Sequence, residues 1–153
     1  MSNLSSVVKA VKYVAPNEKV IISSNPAEID NADKVIFPGQ GAAEKCMQSI
    51  HNKKLSEVIK KNSSEKPFLG ICMGMQVLME FSNENNGTEC LGIIKGNVER
   101  FEIQEKQKIK IPHMGWNKII KKKEHPIWHN IKDHSYFYFV HSYFINPLDE
   151  SNI

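Results

Sequence analysis

One cysteine of this 153-residue chain stands where its thiol could act as a nucleophile. Cys72 is the central residue of Gly70-Ile71-Cys72-Met73-Gly74, which follows an apolar run and precedes a helix-like pattern. A strand that turns directly into a helix holds its junction residue in a strained conformation, and flanking glycines allow close backbone approach. The thiol would then project at the carboxyl end of the sheet, where α/β folds bind ligands. We therefore predict that this segment, called the elbow, presents a nucleophile rather than a small buried apolar residue.

Two sets of backbone amides could stabilise an oxyanion beside this thiol. The N–H of Met73 directly follows the nucleophile, and Pro38-Gly39-Gln40-Gly41 ends another predicted strand at the same sheet edge. Two glycines around one residue let loop amides turn toward a carbonyl oxygen. Alone, this loop would be read as a tight turn. Next to the elbow, it predicts an oxyanion loop.

A thiol nucleophile also needs a base that moves protons. The chain has six histidines, and spacing does not single out one of them. His113 follows Pro112 in a loop-like stretch, whereas His141 lies in an aromatic run where a hydrogen-bonded core histidine is expected. The remaining cysteines, Cys46 and Cys90, lie in no elbow and are expected to be incidental reduced thiols.

Hydrophobic periodicity places these residues on alternating helices and strands. The predicted helices are 4–14, 42–50, 55–61 and 73–81, and the predicted strands are 19–23, 34–37, 67–71, 91–94, 97–101, 108–111, 116–121 and 136–144. Strand 67–71 is expected to be buried, and the continuous apolar run 136–144 is typical of a buried central strand. With no internal repeat or linker, the order predicts one α/β domain over residues 1–153, with a mostly parallel sheet and an antiparallel excursion.

Composition argues against several classes of protein. The net charge is only +3, and the aromatic residues are not interleaved with lysines as in a nucleic-acid groove. Three cysteines without a Cys-x-x-Cys pair argue against a disulfide framework or a zinc site. Since no signal peptide or membrane-length apolar stretch is recognised, we expect a reducing cytoplasm and no membrane or nucleic-acid partner.

Four segments, taken in order, identify a resemblance to a known family. They are FPGQGA, KPFLGICMGMQ, IPHMGWN and YFYFVHSYF. Together they closely resemble the glutaminase subunit of imidazole glycerol phosphate synthase, a class I (triad) glutamine amidotransferase of histidine biosynthesis. The elbow marks the wider superfamily, whereas IPHMGWN is the more specific segment. The resemblance implies a flavodoxin-like three-layer sandwich.

The resemblance also implies roles for individual residues. Cys72 would attack the glutamine side-chain amide and form a glutamyl thioester, with oxyanion amides from Gln40 and Met73. The implied substrate-binding residues are Gly39, Gly41, Gln76, His141, Ser142 and Tyr143. The residues implied to face the partner are Pro112, His113, Met114, Gly115, Trp116 and Asn117.

The partner that the resemblance implies is the cyclase subunit, a (β/α)8 barrel that forms a heterodimer with the glutaminase and receives its ammonia. No metal or organic cofactor is implied. Family members begin with a further strand and take their catalytic base and its acidic partner from a His-Pro-Glu stretch that these 153 residues lack. The chain is therefore expected to be truncated at both ends and inactive as written, and no catalytic histidine or glutamate is assigned.

Other interpretations stay open. The elbow does not separate this family from other class I amidotransferases that feed a different synthase. A non-catalytic fragment that only docks on a barrel partner would also fit the missing His-Pro-Glu stretch.

Overall fold

The computed structural model describes residues 4–102, 110–149 and 151. The helices are α1 (Leu4–Val14), α2 (Pro26–Asp30), α3 (Ala43–Asn52), α4 (Ser56–Glu65) and α5 (Met73–Gln76), with a 3-10 turn at Pro126–Trp128. The strands are β1 (Val35–Gly39), β2 (Phe68–Cys72), β3 (Phe81–Ser82), β4 (Thr88–Glu89), β5 (Gly96–Arg100), β6 (His113–Lys118), β7 (Tyr136–His141) and β8 (Tyr143–Pro147). The mixture of helices and strands confirms the α/β class.

Helices α3, α4 and α5 surround the core. Helices α3 and α4 bury apolar residues at helical spacing, as the sequence predicts, whereas the four-residue α5 contributes Met73. The core side chains are Ala43, Met47, Ile50, Leu55, Val58, Ile59, Met73, Val77, Leu78 and Leu91. The predicted turn at Asn25-Pro26 is the start of α2, where the Asn25 side chain accepts a hydrogen bond from the Ala27 N–H at 2.9 Å. The core therefore lies directly beneath the elbow, through Met73.

The strands form three small sheets among the described residues. Strands β1 and β2 are a parallel pair, β4-β3-β5-β8 is a mixed sheet, and β6 and β7 are an antiparallel pair. Parallel pairing occurs between β1 and β2 and between β3 and β5. The mostly parallel sheet expected from the sequence is thus limited, in the described ranges, to these two pairs.

Two predicted strands are absent, and the backbone hydrogen bonds explain one of them. Residues 19–23 pair with no strand among the described residues, and Ile22 is 60% exposed. Residues 91–94 are irregular because their N–H groups donate to carbonyls of residues 77–79, at 2.8–2.9 Å. These bonds use the carbonyls just beyond α5. The helix predicted over 73–81 accordingly ends at Gln76.

The remaining strand predictions were partly right. Strands β1, β2 and β5 match their predicted positions, but Leu69 and Ile71 of β2 are more than one-third exposed, so the predicted burial of that strand was wrong. The strand predicted at 116–121 begins earlier, as β6. The prediction at 108–111 lies partly outside the described residues, and Lys110 and Ile111 are irregular.

The run 136–144 is the clearest wrong prediction. It breaks at Ser142 into β7 and β8, which join different sheets. Strand β7 pairs with β6, and several of its large side chains are exposed. The run is therefore not a buried central strand. It consists of β7, which forms a two-stranded ribbon with β6, a bend at Ser142, and β8, which belongs to the four-stranded sheet.

Candidate functional site

The elbow has the strained geometry that the sequence predicts. Strand β2 ends at Cys72 and α5 begins at Met73. Cys72 has φ 54° and ψ −118°, outside the favoured regions for a residue with a side chain, and the residue is exposed. A strained, solvent-accessible thiol between a strand and a helix can attack an electrophile from solution. Its role as nucleophile stays a prediction.

Close backbone approach explains two of the glycines near this thiol. A Cβ on Gly74 would overlap the carbonyl group of Phe37 in β1. A Cβ on Gly39 would lie 2.6 Å from the backbone nitrogen of Gly74. Any side chain at either position would force β1 and the elbow apart.

The parallel register brings the predicted oxyanion loop to the nucleophile. Gly39 of β1 lies opposite Cys72 of β2, so residues 38–41 and the elbow end at the same sheet edge. Gln40 is exposed there, and Gly41 has φ 88°, a conformation that glycine adopts without strain. The structure therefore brings Gly39, Gln40 and Cys72 together.

A carboxylate that was not predicted from the sequence fixes the far end of this loop. Helix α3 starts at Ala43 and has no side-chain cap from Ala42. Instead, Glu84 Oε2 accepts a hydrogen bond from the Ala43 N–H at 2.6 Å. A carboxylate near a helix N-terminus satisfies an unpaired amide and interacts favourably with the helix dipole. The cap comes from 41 residues away, so no local pattern predicts it.

Two predicted residues of α5 face the protein interior. The Met73 side chain belongs to the core, and Gln76 is only 7% exposed. Met73 can contribute only its backbone to the site. Gln76 follows one turn after Cys72, but its side chain is largely covered here, and its predicted role in substrate binding remains untested.

Residues 141–143 form a second group, on other sheets than Cys72. They lie at the bend between β7 and β8. The Nδ1 atom of His141 is 2.9 Å from the Tyr143 carbonyl oxygen, and the Phe101 N–H donates to the Ser142 carbonyl at 3.2 Å. Two hydrogen bonds therefore hold the backbone of this segment.

His113 and His141 are direct neighbours. They lie opposite each other in the β6–β7 register, and His113 Nδ1 is 3.0 Å from His141 Nε2. The ring of His113 stacks on Phe139 with centroids 5.3 Å apart. His113, predicted to face the partner, is thus hydrogen-bonded to His141, predicted to bind substrate.

The six residues predicted to face a partner do not share one surface, because neighbouring residues of β6 point to opposite sides of the strand. Met114 and Trp116 point to one side of β6, where they lie opposite Val140 and Tyr138 of β7. All four side chains are more than half exposed, and Trp116 packs edge-on against Tyr138 with centroids 5.5 Å apart. We call these four residues the apolar face.

The other predicted partner residues do not belong to the apolar face. His113, Gly115 and Asn117 occupy the alternate positions of β6, on the opposite side. Pro112 precedes the strand and is exposed. Tyr138 and Val140 were not predicted as partner-facing residues, because their strand was interpreted as continuously buried, whereas several of its side chains are exposed.

The two other cysteines are half-buried free thiols. Burial raises the pKa of the Cys90 thiol to about 11, and the nearby Cys46 adds to the shift. Burial also raises the pKa of Cys46. Both groups are therefore protonated and poorly nucleophilic at neutral pH, whereas a catalytic thiol must form the thiolate readily.

The described part of the chain has neither a metal-binding group of side chains nor a helix of membrane-spanning length. Within residues 4–102, 110–149 and 151, no three histidine, cysteine, aspartate or glutamate side chains are grouped to hold a metal ion. No helix in these ranges is long and apolar enough to cross a membrane.

Comparison with known proteins gives consistent matches. The profile of the class-I glutamine amidotransferases matches residues 2–153. The chain is 49% identical to the imidazole glycerol phosphate synthase subunit HisH of Hydrogenovibrio crunogenus, with 100% of the chain and 72% of the relative covered. It is 51% identical to HisH of Thiobacillus denitrificans, over 96% of the chain and 66% of the relative. With HisH of Pseudomonas putida, it shares 46% identity over 95% of the chain and 70% of the relative.

Proposed function

Because the chain belongs to the class I glutamine amidotransferase family, and within it to the HisH subunits of imidazole glycerol phosphate synthase, we propose that Cys72 is the nucleophile of a glutaminase site. The observation that carries this proposal is the exposed, strained Cys72 at a strand-to-helix junction, opposite the glycine loop of β1. Such an arrangement presents a thiol and backbone amides to the same carbonyl group.

The reaction follows from these groups. The Cys72 sulfur adds to the side-chain carbonyl carbon of glutamine, and the carbonyl oxygen becomes an oxyanion that the amides of Met73 and Gln40 stabilise. The carbon–nitrogen bond then breaks, and the nitrogen leaves as ammonia after gaining a proton. Water attacks the resulting thioester and releases glutamate, which restores the thiol. This sequence needs no metal or organic cofactor.

Residues 141–143 are proposed to hold the amino-acid end of glutamine, with Gln76 and the glycines of the β1 loop beside the amide end. The hydrogen bonds from Phe101 and within the bend keep the backbone of this segment in one arrangement. A preorganised segment reduces the entropy lost when a small substrate is ordered.

The apolar face is proposed as the docking surface for the cyclase subunit, which would receive the ammonia. Its exposed tryptophan and tyrosine, beside methionine and valine, are typical of the core of a protein interface rather than of ordinary protein surface. The heterodimer would work in a reducing cytoplasm, consistent with three free cysteines.

These 153 residues are proposed to turn over glutamine slowly on their own. They contain no His-Pro-Glu stretch to supply the base that shuttles protons to and from Cys72. Removal of one member of a catalytic triad lowers the rate by several orders of magnitude. The nucleophile is therefore best tested by a reagent that does not need the base.

The test uses a glutamine analogue in which the amide –NH₂ is replaced by –CH₂Cl. The Cys72 sulfur would displace chloride, and the thiol proton would pass to solvent. Mass spectrometry should find one adduct, on Cys72, that forms with saturation kinetics and is slowed by added glutamine. The Cys72→Ser variant, as a control, should not react. Equal labelling of the three cysteines, or no protection by glutamine, would contradict the proposal.

A docking-only role is the second candidate, and the exposed apolar face is the observation that favours it. Under that alternative, a purified cyclase subunit would bind the chain, but the chloromethyl analogue would show no preference for Cys72.

A further inference from the structure

The hydrogen bonds around His141 determine which nitrogen of each ring carries a proton. The Tyr143 carbonyl oxygen is an acceptor only, so the Nδ1 atom of His141, 2.9 Å away, must be the donor. In the neutral ring, the Nε2 atom of His141 is then an acceptor. The Nδ1 atom of His113, 3.0 Å from it, must therefore carry its own proton and donate.

The result is a directed chain of three groups: the His113 N–H donates to His141, and the His141 N–H donates to the Tyr143 carbonyl. Aromatic neighbours limit rotation of both rings. Phe139 stacks on His113, and Phe101 packs edge-on against His141 with centroids 5.0 Å apart. Flipping either ring would break a hydrogen bond and disrupt this packing. His113, on β6, therefore holds the ring of His141 in one orientation.

We propose that His113 is a positioning residue for glutamine: its Nδ1–H fixes the tautomer and orientation of His141 and, through it, the backbone bend at residues 141–143. This inference rests on the proposed role of that segment in binding the amino-acid end of glutamine. His113 does not touch the reacting atoms. It belongs to the opposite side of β6 from the apolar face, so its role is separate from docking.

The expected kinetic signature affects binding and not the covalent step. In His113→Phe, the aromatic stacking on Phe139 is kept but the donor is lost. The concentration of the chloromethyl analogue giving half-maximal labelling should rise about 5- to 10-fold, the loss expected for one hydrogen bond. The maximal rate at saturation should stay unchanged, because Cys72 and its loop are untouched. His113→Asn, whose side-chain amide carries a donor near the position of Nδ1, should restore most of the affinity.

Two controls separate this inference from the proposed function. Iodoacetamide, which has no amino-acid end, should label Cys72 equally fast in wild type and His113→Phe. His129→Phe makes the same change at an exposed histidine of another segment and should behave as wild type. If the wild-type chain is not labelled selectively by the analogue, the proposed function fails. If it is labelled and His113→Phe is indistinguishable from it, only the positioning role fails.

The tautomers can be read directly and without any reaction. In ¹⁵N–¹H long-range correlation spectra of the full chain at alkaline pH, both His113 and His141 should be protonated at Nδ1. Finding the proton of either ring on Nε2 would overturn the proposal, as would failure of His113→Asn to restore affinity in a folded variant.

Discussion

The elbow and the β6–β7 ribbon are built from strand residues in different ways. At the elbow, backbone approaches backbone: glycines leave room for β1 to lie against the start of α5, and Met73 anchors the turn in the core. In the ribbon, the backbone is regular and the side chains differ by side, with apolar residues exposed on one side and paired histidines on the other. The proposed nucleophile site thus depends on positions that lack side chains, and the proposed docking site depends on side chains that are exposed.

This difference separates stability from binding. A change in the elbow disturbs packed atoms and should be measured first as lost stability. A change on the apolar face removes atoms that solvent already surrounds and should be measured as lost affinity alone. Three substitutions test this separation and one labelling experiment tests the exposure of the elbow thiol, in order from the largest expected effect to the smallest.

Gly74→Ala should be the most damaging small substitution. Its Cβ would overlap the Phe37 carbonyl, and backbone cannot move aside as a flexible side chain can. We expect the free energy of unfolding to fall by about 3 kcal/mol or more. Urea denaturation followed by circular dichroism measures the change. The control, Gly92→Ala, meets no atom within 4 Å and changes only a positive-φ site, so it should cost about 1 kcal/mol. Equal losses would refute the backbone argument.

Cys90 should react with iodoacetamide far more slowly than Cys72. Its pKa of about 11 reflects burial, which disfavours the thiolate, so the reactive fraction rises tenfold per pH unit until about pH 11. The pKa of Cys90 is raised from the usual 9.0 to about 11. At neutral pH, Cys90 therefore carries about a hundredfold less thiolate than a cysteine with the usual pKa. Peptide mapping after timed alkylation from pH 7 to 9.5 measures both thiols. A plateau in Cys90 labelling within this range would show that the thiol is not shielded.

Trp116→Ala should weaken cyclase binding by about 30-fold or more while leaving stability nearly unchanged. Tryptophan at the centre of an interface commonly contributes about 2 kcal/mol, whereas an exposed side chain contributes little to folding. Isothermal titration with the purified cyclase subunit gives the affinity. Ile120→Ala is a matched control, since Ile120 is similarly exposed but lies beyond β6. If both variants bind as wild type does, docking uses another surface.

Glu84→Ala should have the smallest of the four main effects, a loss of about 1 kcal/mol of stability, because it removes one cap from α3. The same cap holds the end of the oxyanion loop, so the maximal rate of Cys72 labelling by the chloromethyl analogue should also fall. Glu84→Gln keeps an oxygen acceptor and should retain most of both properties. A stability loss with no change in labelling would show that the cap serves the helix alone.

Local patterns predicted the parts of the fold that short-range interactions determine. Helical spacing located α1, α3 and α4, and the glycines around Cys72 predicted a strained turn before any contact was known. The family resemblance was confirmed by the class I amidotransferase match and the HisH relatives. These features depend on residues that are close in sequence, so their physical cause is visible in the chain itself.

Long-range contacts explain most of what the sequence did not predict. The helix predicted at 73–81 ends early because residues 91–94 donate to the carbonyls beyond it, and the cap on Ala43 comes from Glu84. The run 136–144 contains apolar and aromatic residues at both alternating positions, so its pattern could not reveal that one side is exposed. Pairing with His113 likewise became visible only when the β6–β7 register was known.

The β6–β7 register determines both which side chains of β6 lie on the apolar face and which side chain contacts His141. Odd-numbered and even-numbered positions point to opposite sides, so deleting one residue between His113 and Trp116 would move tryptophan to the histidine side. With His113 held in register, the proposed docking face would then lose Trp116; with Trp116 held in place, His141 would instead lose the proposed support of His113. Removing two residues would preserve the sides and shorten the strand. We therefore expect lineages that alter the length of this strand to do so in pairs of residues, because parity, rather than length, keeps both surfaces in place.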